Sequence, residues 1–106
     1  MPPEYSTRNL LRETLDYLAF HQIRPEDVRG VTYGKKLGTW ADFARLADRD
    51  YRAGGYGVQA SLVLIGDGWW LERGRDAGGE WWQLARTRTL PASGLPLEAG
   101  DIFANG

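Results

Sequence analysis

The spacing of apolar residues predicts an amphipathic helix near the start of the chain. Leu11, Leu15 and Leu18 recur at intervals of four and three residues, with mostly polar residues between them. This spacing places the three leucines on one face of an α-helix. The pattern predicts a first helix from about Thr7 to His21.

A second helix is indicated by its start signal. Thr39 is followed three residues later by Asp42, an arrangement that resembles a capping box with Asp in place of Glu. Apolar residues at helical spacing follow, and they predict a helix from about Trp40 to Arg52. The glycine-rich stretch at 53–57 ends it, because glycine adopts the left-handed conformation of a helix stop.

In the second half of the chain the pattern changes to that of β-strands. Leu62–Ile65 is a continuous apolar run, which is typical of a strand covered on both faces. Two further strands are predicted at Trp69–Arg73 and Glu80–Thr87, with glycine-containing turns before each of them. Three successive strands joined by short turns predict an antiparallel meander.

These elements predict an α+β fold in which two amphipathic helices pack on one face of a three-stranded antiparallel β-meander. Either Val31–Tyr33 or Ile102–Phe103 would add a short edge strand. A length of 106 residues fits a single domain. We expect an ordered core at about residues 6–90, followed by a Pro- and Gly-rich tail at 91–106.

The two strands of the predicted hairpin carry adjacent tryptophan pairs, Trp69-Trp70 and Trp81-Trp82. Neighbouring side chains of a strand point to opposite faces, so each pair places one indole on each side of the sheet. Which indoles share a side depends on the register of the hairpin.

Burial favours one register. If Arg75 lies opposite Glu80, Leu71 faces Leu84 and one side of the hairpin is strongly apolar, whereas the other register leaves both sides half polar. We expect the helices to cover the apolar side. The apolar side then carries Trp69, Leu71, Trp82 and Leu84, and the opposite side carries Trp70, Glu72, Trp81 and Gln83.

The second of these sides is the predicted binding surface. We name it the outer hairpin face and define it by Trp70, Glu72, Trp81 and Gln83. An indole left in water forgoes about 2–3 kcal/mol of burial, and Trp is enriched among the residues that dominate binding energy. We expect Arg73 and Arg75 to flank this surface. In the alternative, purely structural interpretation, the loop at 54–57 or the tail around Ile102–Phe103 covers the rings.

Composition narrows the function classes. Thirteen Lys and Arg residues against 14 Asp and Glu give a net charge of -1, which provides no general attraction to nucleic acid. The absence of Cys excludes disulfides, thiolate metal sites and cysteine nucleophiles. No apolar run approaches the roughly 20 residues of a membrane span. The sequence is typical of a soluble, cytoplasmic protein.

Catalytic chemistry is not indicated. His21 is the single histidine, and its predicted place at the end of a helix favours a capping role. Glu72 and Glu80 lie on opposite faces in the favoured register, so they do not form a catalytic carboxylate pair. Asp67 lies in a turn without companion ligands for a metal. We predict no catalytic residue, no metal and no cofactor.

A basic strip beside the tryptophans gives a second binding hypothesis. Arginines near the hairpin could contact phosphates while the indoles stack on bases, as in binders of single-stranded nucleic acid. Acidic residues lie between these cations, and this mixture is more typical of a solvated, salt-paired face. The residues concerned are Arg73, Arg75, Arg86, Arg88, Lys35 and Lys36.

The hairpin sequence resembles a pattern found in small uncharacterised phage and prophage proteins. The shared features are an apolar strand, the run from Gly66 to Arg73 that reads GDGWWLER, and a returning segment from Gly79 to Trp82 that reads GEWW. The resemblance covers roughly Trp40 to Thr89 and assigns no functional residues. A phage origin implies action in the cytoplasm of a host cell, and it raises the expectation of an anti-CRISPR-like inhibitor.

The sequence thus predicts a small, non-catalytic binding protein that inhibits a host protein or ribonucleoprotein complex through the outer hairpin face. The alternative prediction is a binder of single-stranded nucleic acid that uses the indoles and the hairpin arginines.

Overall fold

The computed structural model describes residues 7–52, 57–76, 79–86 and 90–104, and it has an α+β fold. These residues form three α-helices, a five-stranded antiparallel sheet and a separate two-stranded sheet. The elements in chain order are β1 (Thr7–Asn9), α1 (Leu10–Phe20), β2 (Val28–Tyr33), β3 (Lys36–Gly38), α2 (Trp40–Ala47), β4 (Asp50–Arg52), β5 (Leu62–Gly66), β6 (Trp69–Asp76), β7 (Gly79–Arg86) and α3 (Ala99–Ile102).

The larger sheet has the strand order β3-β2-β5-β6-β7, and every neighbouring pair in it is antiparallel. The predicted meander forms one side of this sheet as β5, β6 and β7. The predicted register of its hairpin is confirmed, because Arg75 lies opposite Glu80 and Leu71 lies opposite Leu84. The register of the hairpin therefore follows from the burial argument, but the expected cover of its apolar side is incomplete, because Leu84 is 41% exposed.

β2 changes the predicted sheet. Val31–Tyr33 is extended as predicted, but the prediction that such a strand would lie at an edge is wrong, because β2 pairs with both β3 and β5. Lys36–Gly38, where the sequence pattern predicts no strand, returns along β2 as β3. Gly34 makes the return feasible, since its φ of 60° is a conformation that glycine adopts at low cost.

Both predicted helices are too long. Thr7–Asn9 forms β1 and pairs with β4, which occupies the predicted end of the second helix. The Asn9 side chain accepts a hydrogen bond from the backbone N–H of Arg12, so α1 begins after it. The predicted capping box is confirmed, because Thr39 and Asp42 each accept a hydrogen bond from the other's backbone N–H. The hydrogen bond that the Asp42 carboxylate accepts from the Thr39 backbone N–H also lowers the pKa of Asp42.

The hydrophobic core lies between one face of the large sheet and the helices. Phe43 and Ala47 of α2 and Leu10 and Leu18 of α1 are fully or almost fully buried there. The sheet contributes inward-pointing side chains that alternate along each strand. They are Val31, Leu62, Leu64, Leu71 and Trp82.

The core extends past residue 90, where the sequence pattern predicts its end. Leu97, Ile102 and Phe103 are all buried in it. Ile102 closes α3 and is not part of a strand, and Phe103 makes a single antiparallel bridge with Val58. Apolar side chains within this Pro- and Gly-rich stretch thus complete the core.

A polar contact fixes the same segment to the sheet. Lys36 Nζ lies 3.0 Å from Glu98 Oε2 and 3.1 Å from Asp101 Oδ2. The hydrogen bonds from the Lys36 ammonium to these carboxylates raise its pKa. Leu95 joins the edge of β3 through a parallel bridge to Lys36. Among the described residues, no helix is long and apolar enough to cross a membrane.

The contribution of this segment can be measured with two substitutions. Ile102→Ala removes a side chain that has no exposed surface, so we expect the free energy of unfolding to fall by about 2–5 kcal/mol in urea titrations. Leu95→Ala is the matched control, because Leu95 is 62% exposed and its replacement should cost less than about 0.5 kcal/mol. Equal stability of the two variants would show that the segment is not part of the core.

Candidate functional site

The register of the β6–β7 hairpin separates its charges by side. Side chains two and four positions along β6 from Leu71 lie on the same side as Leu71 and point toward the helices. These side chains are Arg73 and Arg75. The charged residues of β6 and β7 on the opposite side are Glu72 and Asp76, both acidic. The hairpin thus presents Glu72 and Asp76 outward and directs Arg73 and Arg75 inward.

The four side chains of the outer hairpin face are joined in a chain of hydrogen bonds. The Trp81 indole N–H donates to Gln83 Oε1 at 3.3 Å, and the Gln83 amide donates to Glu72 Oε2 at 3.1 Å. From the other side, the Trp70 indole N–H donates to Glu72 Oε1 at 2.6 Å. Both indoles are therefore oriented by polar contacts that converge on one carboxylate.

The two indoles of this face differ in exposure. Trp81 is 38% exposed, whereas Trp70 is half-buried beside Ile65, its cross-strand neighbour on β5. Gly74 lies opposite Trp81, and a Cβ at that position would come within 2.7 Å of the indole nitrogen. Gly74 therefore allows the Trp81 ring to lie close against the sheet.

The structure excludes one of the two segments that the purely structural interpretation places over these rings. The tail around Ile102–Phe103 packs into the core on the helix side of the sheet and does not lie over the outer hairpin face. Most of the glycine-rich loop, at residues 53–56, lies outside the described residues.

Arg73 corrects both predicted surfaces. The sequence analysis places Arg73 both beside the outer hairpin face and in the basic strip. In the structure its side chain has no exposed surface. Arg75 also points inward, and its guanidinium donates to the backbone carbonyl of Val58. The expectation that these two arginines border an exposed face is therefore wrong, because alternation places them on the same side as Leu71.

The remaining cations do not gather into a strip within the described part of the chain. Lys35 is exposed in the turn between β2 and β3, while Lys36 contacts Glu98 and Asp101 at the sheet edge. The side chain of Arg86 and all of Arg88 lie outside what the structure describes. The predicted phosphate-binding surface therefore lacks Arg73 and Arg75, the two cations that were expected to lie beside the outer hairpin face.

Arg73 lies within a group that we name the buried ion cluster, formed by Glu13, Tyr51, Arg73 and Glu80. The two guanidinium nitrogens of Arg73 lie 3.0 Å from Glu13 Oε2 and 3.2 Å from Glu80 Oε1. Arg73 also donates to the Tyr51 hydroxyl at 3.2 Å, and that hydroxyl donates to Glu13. The cluster connects α1, β4, β6 and β7.

Further contacts compensate the charges of this cluster. Glu80 accepts hydrogen bonds from the backbone N–H groups of Gly57 and Val58, each at 3.0 Å. The guanidinium carbon of Arg73 lies 4.8 Å from the centre of the Trp82 ring, a cation–π distance. This contact partly replaces the hydrogen bond that Arg73 Nε lacks among the described residues.

Glu13 and Tyr51 were not predicted to be partners of Arg73. Glu13 is 60 positions from Arg73 in sequence, so no local spacing connects the two residues. The sequence does indicate that Arg73 is buried, because the confirmed register places it opposite Trp82 on the buried side of the hairpin. A buried arginine requires a carboxylate partner, and acidic residues on the covering helix were candidates.

The buried ion cluster has the character of a structural element. Burial raises the pKa of Tyr51 to about 12, helped by the hydrogen bond to Glu13, so the phenol stays protonated near neutral pH. Arg73 and Glu80 are sealed from solvent, with side-chain exposures of 0% and 1%. Among the described residues, no group of three or more His, Asp or Glu is arranged to bind a metal.

Comparisons of the chain with protein-family models, curated proteins and solved structures find no match. The outer hairpin face and the buried ion cluster are therefore interpreted from their own chemistry.

The first prediction concerns the pairing of Arg73. Arg73→Met leaves the carboxylates of Glu13 and Glu80 without their buried cation, and we expect a loss of about 3–5 kcal/mol in the free energy of unfolding. Arg45→Met is the control, because Arg45 is 69% exposed, faces Asp42 at the surface and should contribute less than about 1 kcal/mol. A similar loss in both variants would contradict a pairing role for Arg73.

The second prediction uses the pKa of Tyr51, which is raised from 10.0 to about 12 in the folded protein. Unfolded chains release the phenolic proton near pH 10, so the stabilisation is complete below that pH and is lost as pH rises to about 12. Between pH 9 and pH 11.5, wild type should lose about 1–2 kcal/mol more than Tyr51→Phe. Denaturant midpoints at both pH values measure the difference, and equal losses would contradict the assignment.

Proposed function

We propose that the chain is a non-catalytic binding protein and that the outer hairpin face is its contact surface for a partner protein. The observation that carries this proposal is the exposed indole of Trp81, oriented by the hydrogen bonds that converge on Glu72. A rigid indole loses little conformational entropy on binding and fills a pocket of the partner.

Charge favours a protein over a nucleic acid as the partner. The charged residues of β6 and β7 on the exposed side, Glu72 and Asp76, are both acidic and are not phosphate-binding groups. Arg73 and Arg75, the cations proposed to bind phosphates beside the rings, point to the other side of the sheet. A protein surface with an apolar pocket complements the exposed ring of Trp81.

The proposal extends to the class of partner. The resemblance of the GDGWWLER and GEWW segments to small phage proteins supports a host protein or ribonucleoprotein complex, bound and inhibited in the cytoplasm. In such a complex the outer hairpin face would contact protein. The proposed inhibition therefore requires binding alone and no catalysis by this chain.

The test compares three baits. Wild type, Trp81→Ala and Phe20→Ala are each used to isolate partners from host lysate, and the candidate found with wild type is then purified and titrated by calorimetry. A binding hot spot contributes at least 2 kcal/mol, so we expect Trp81→Ala to weaken the purified interaction by about 30-fold or more. Phe20 is 80% exposed and lies on α1, and Phe20→Ala should bind like wild type.

Two outcomes would contradict the proposal. The first is unchanged affinity of Trp81→Ala. The second is binding of wild type to a single-stranded oligonucleotide with affinity that falls steeply as salt is raised, which is the signature of phosphate contacts. Circular dichroism of each variant confirms that the fold is kept, as expected for a partly exposed side chain.

A further inference from the structure

We infer that a hollow beside the outer hairpin face binds one ring of a neutral saccharide. The hollow has a volume of about 410 Å³, and Thr32, Ser61, Val63 and Glu72 are among the residues that line it. This volume lies within the range of roughly 300–1,000 Å³ that is usual for small-molecule sites. We name it the Thr32 hollow. The inference goes beyond the proposed function, because Thr32 lies outside the outer hairpin face.

The Thr32 hollow lies on the side of the large sheet that faces away from the helices. Thr32 follows Val31, a core residue, so its side chain points to the opposite side of β2. Val63, the cross-strand neighbour of Thr32 on β5, is buried but is not part of the core on the helix side. Glu72 belongs both to the hollow and to the outer hairpin face. The two features therefore form one continuous surface.

The Thr32 hydroxyl is the group that indicates a ligand. Thr32 is only 7% exposed, and its hydroxyl has no hydrogen-bond partner among the described residues. Buried hydroxyls are normally hydrogen-bonded, because leaving one without a partner costs free energy. This hydroxyl borders an open hollow, so a ligand that enters from solvent can supply the hydrogen bond.

The lining of the hollow favours a neutral ligand that carries hydroxyls. Ser61 adds a second, exposed hydroxyl, and such groups both donate and accept hydrogen bonds, as the hydroxyls of a saccharide do. Arg73 borders the hollow through its backbone, because its side chain points to the core and has no exposed surface. The lining residues therefore direct no cation toward a phosphate or carboxylate ligand. The Glu72 carboxylate already accepts hydrogen bonds from Trp70 and Gln83, and it forms one wall of the hollow.

Trp81 supplies the apolar contact that a saccharide ring requires. A Cβ at Gly74 would come within 2.7 Å of the indole nitrogen, so the ring lies over Gly74, the residue that follows Arg73 at the edge of the hollow. The indole therefore borders the hollow, and 38% of Trp81 is exposed there. One face of a sugar ring presents C–H groups that pack on the negative face of an aromatic ring, while the hydroxyls at its edge form hydrogen bonds. An indole beside two hydroxyls matches both parts of such a ligand.

The experiment follows the backbone N–H signals of Thr32 and Val63 and the indole N–H signal of Trp81 in ¹⁵N–¹H spectra of the full chain. The probes are the methyl pyranosides of glucose, galactose and mannose. Cyclohexylmethanol, an apolar ring with one hydroxyl, and 9-methyladenine, a base that stacks on indoles, are the controls. We expect at least one pyranoside to shift all three signals saturably, with a dissociation constant on the order of 1–30 mM. Each control should bind more weakly than that pyranoside by about fivefold or more.

Substitutions of Thr32 separate recognition from a structural role. Thr32→Val replaces the hydroxyl by a methyl group of nearly the same size, so binding of the pyranoside should weaken by about fivefold or more. The denaturant midpoint of this variant should be unchanged or raised, because no hydrogen bond among the described residues is lost. Thr32→Ser keeps the hydroxyl and should bind within about threefold of wild type. Phe20→Ala, which removes an exposed ring on α1, should leave the titration unchanged.

The outcomes separate this inference from the proposed function. No shift of the Thr32 signal at 100 mM of any pyranoside, a control that binds as tightly as the best pyranoside, or equal binding by Thr32→Val and wild type overturns the saccharide site. If Trp81→Ala then still loses the purified partner, the protein-binding surface stands without the saccharide site. If the pyranoside binds as expected while Trp81→Ala keeps that partner, the saccharide site stands and the proposed function fails.

Discussion

The burial of Arg73 is the constraint on which the rest of the structure depends. Its side chain has no exposed surface, and burying such a charge is costly unless carboxylates pair with it. The paired carboxylates come from α1 and β7, through Glu13 and Glu80. A one-residue slip of β7 would turn Glu80 and Trp82 outward and leave the guanidinium without its most buried partner. Burial of one ion therefore ties the helix and the hairpin to a single arrangement.

The same alternation that buries Arg73 creates the outer hairpin face. Arg73 and Arg75 point inward, whereas Glu72 and Asp76 of β6 lie on the opposite, outer side. The alternation also leaves Trp81 on that side, since Trp82 fills the core and donates its indole N–H to Thr14. The exposed tryptophan is thus a consequence of the adjacent pair, and the hydrogen bonds through Gln83 to Glu72 give it a fixed orientation.

Elements that depend on local spacing could be predicted from the sequence, and elements that depend on distant partners could not. The capping box of Thr39 and the hairpin register follow from short intervals and from burial. β1 forms because it pairs with β4, more than 40 positions along the chain, and Leu97 is buried because its segment docks on β3. The expectation that Arg73 flanks the outer hairpin face is wrong for a different reason, because the predicted register itself places Arg73 opposite Trp82 on the buried side.

The edges of the large sheet explain why binding is assigned to side chains and not to strand addition. On β7 the Tyr17 hydroxyl accepts the backbone N–H of Leu84, and Arg8 donates to the carbonyl of Glu80. At β3 the Leu95 carbonyl accepts the backbone N–H of Leu37, and the Leu95 N–H donates to the carbonyl of Lys35, just before the strand. A partner strand would have to displace these contacts before it could pair. The outer hairpin face needs no such displacement, because its ring surface and its carboxylate are presented by side chains that already hold their positions.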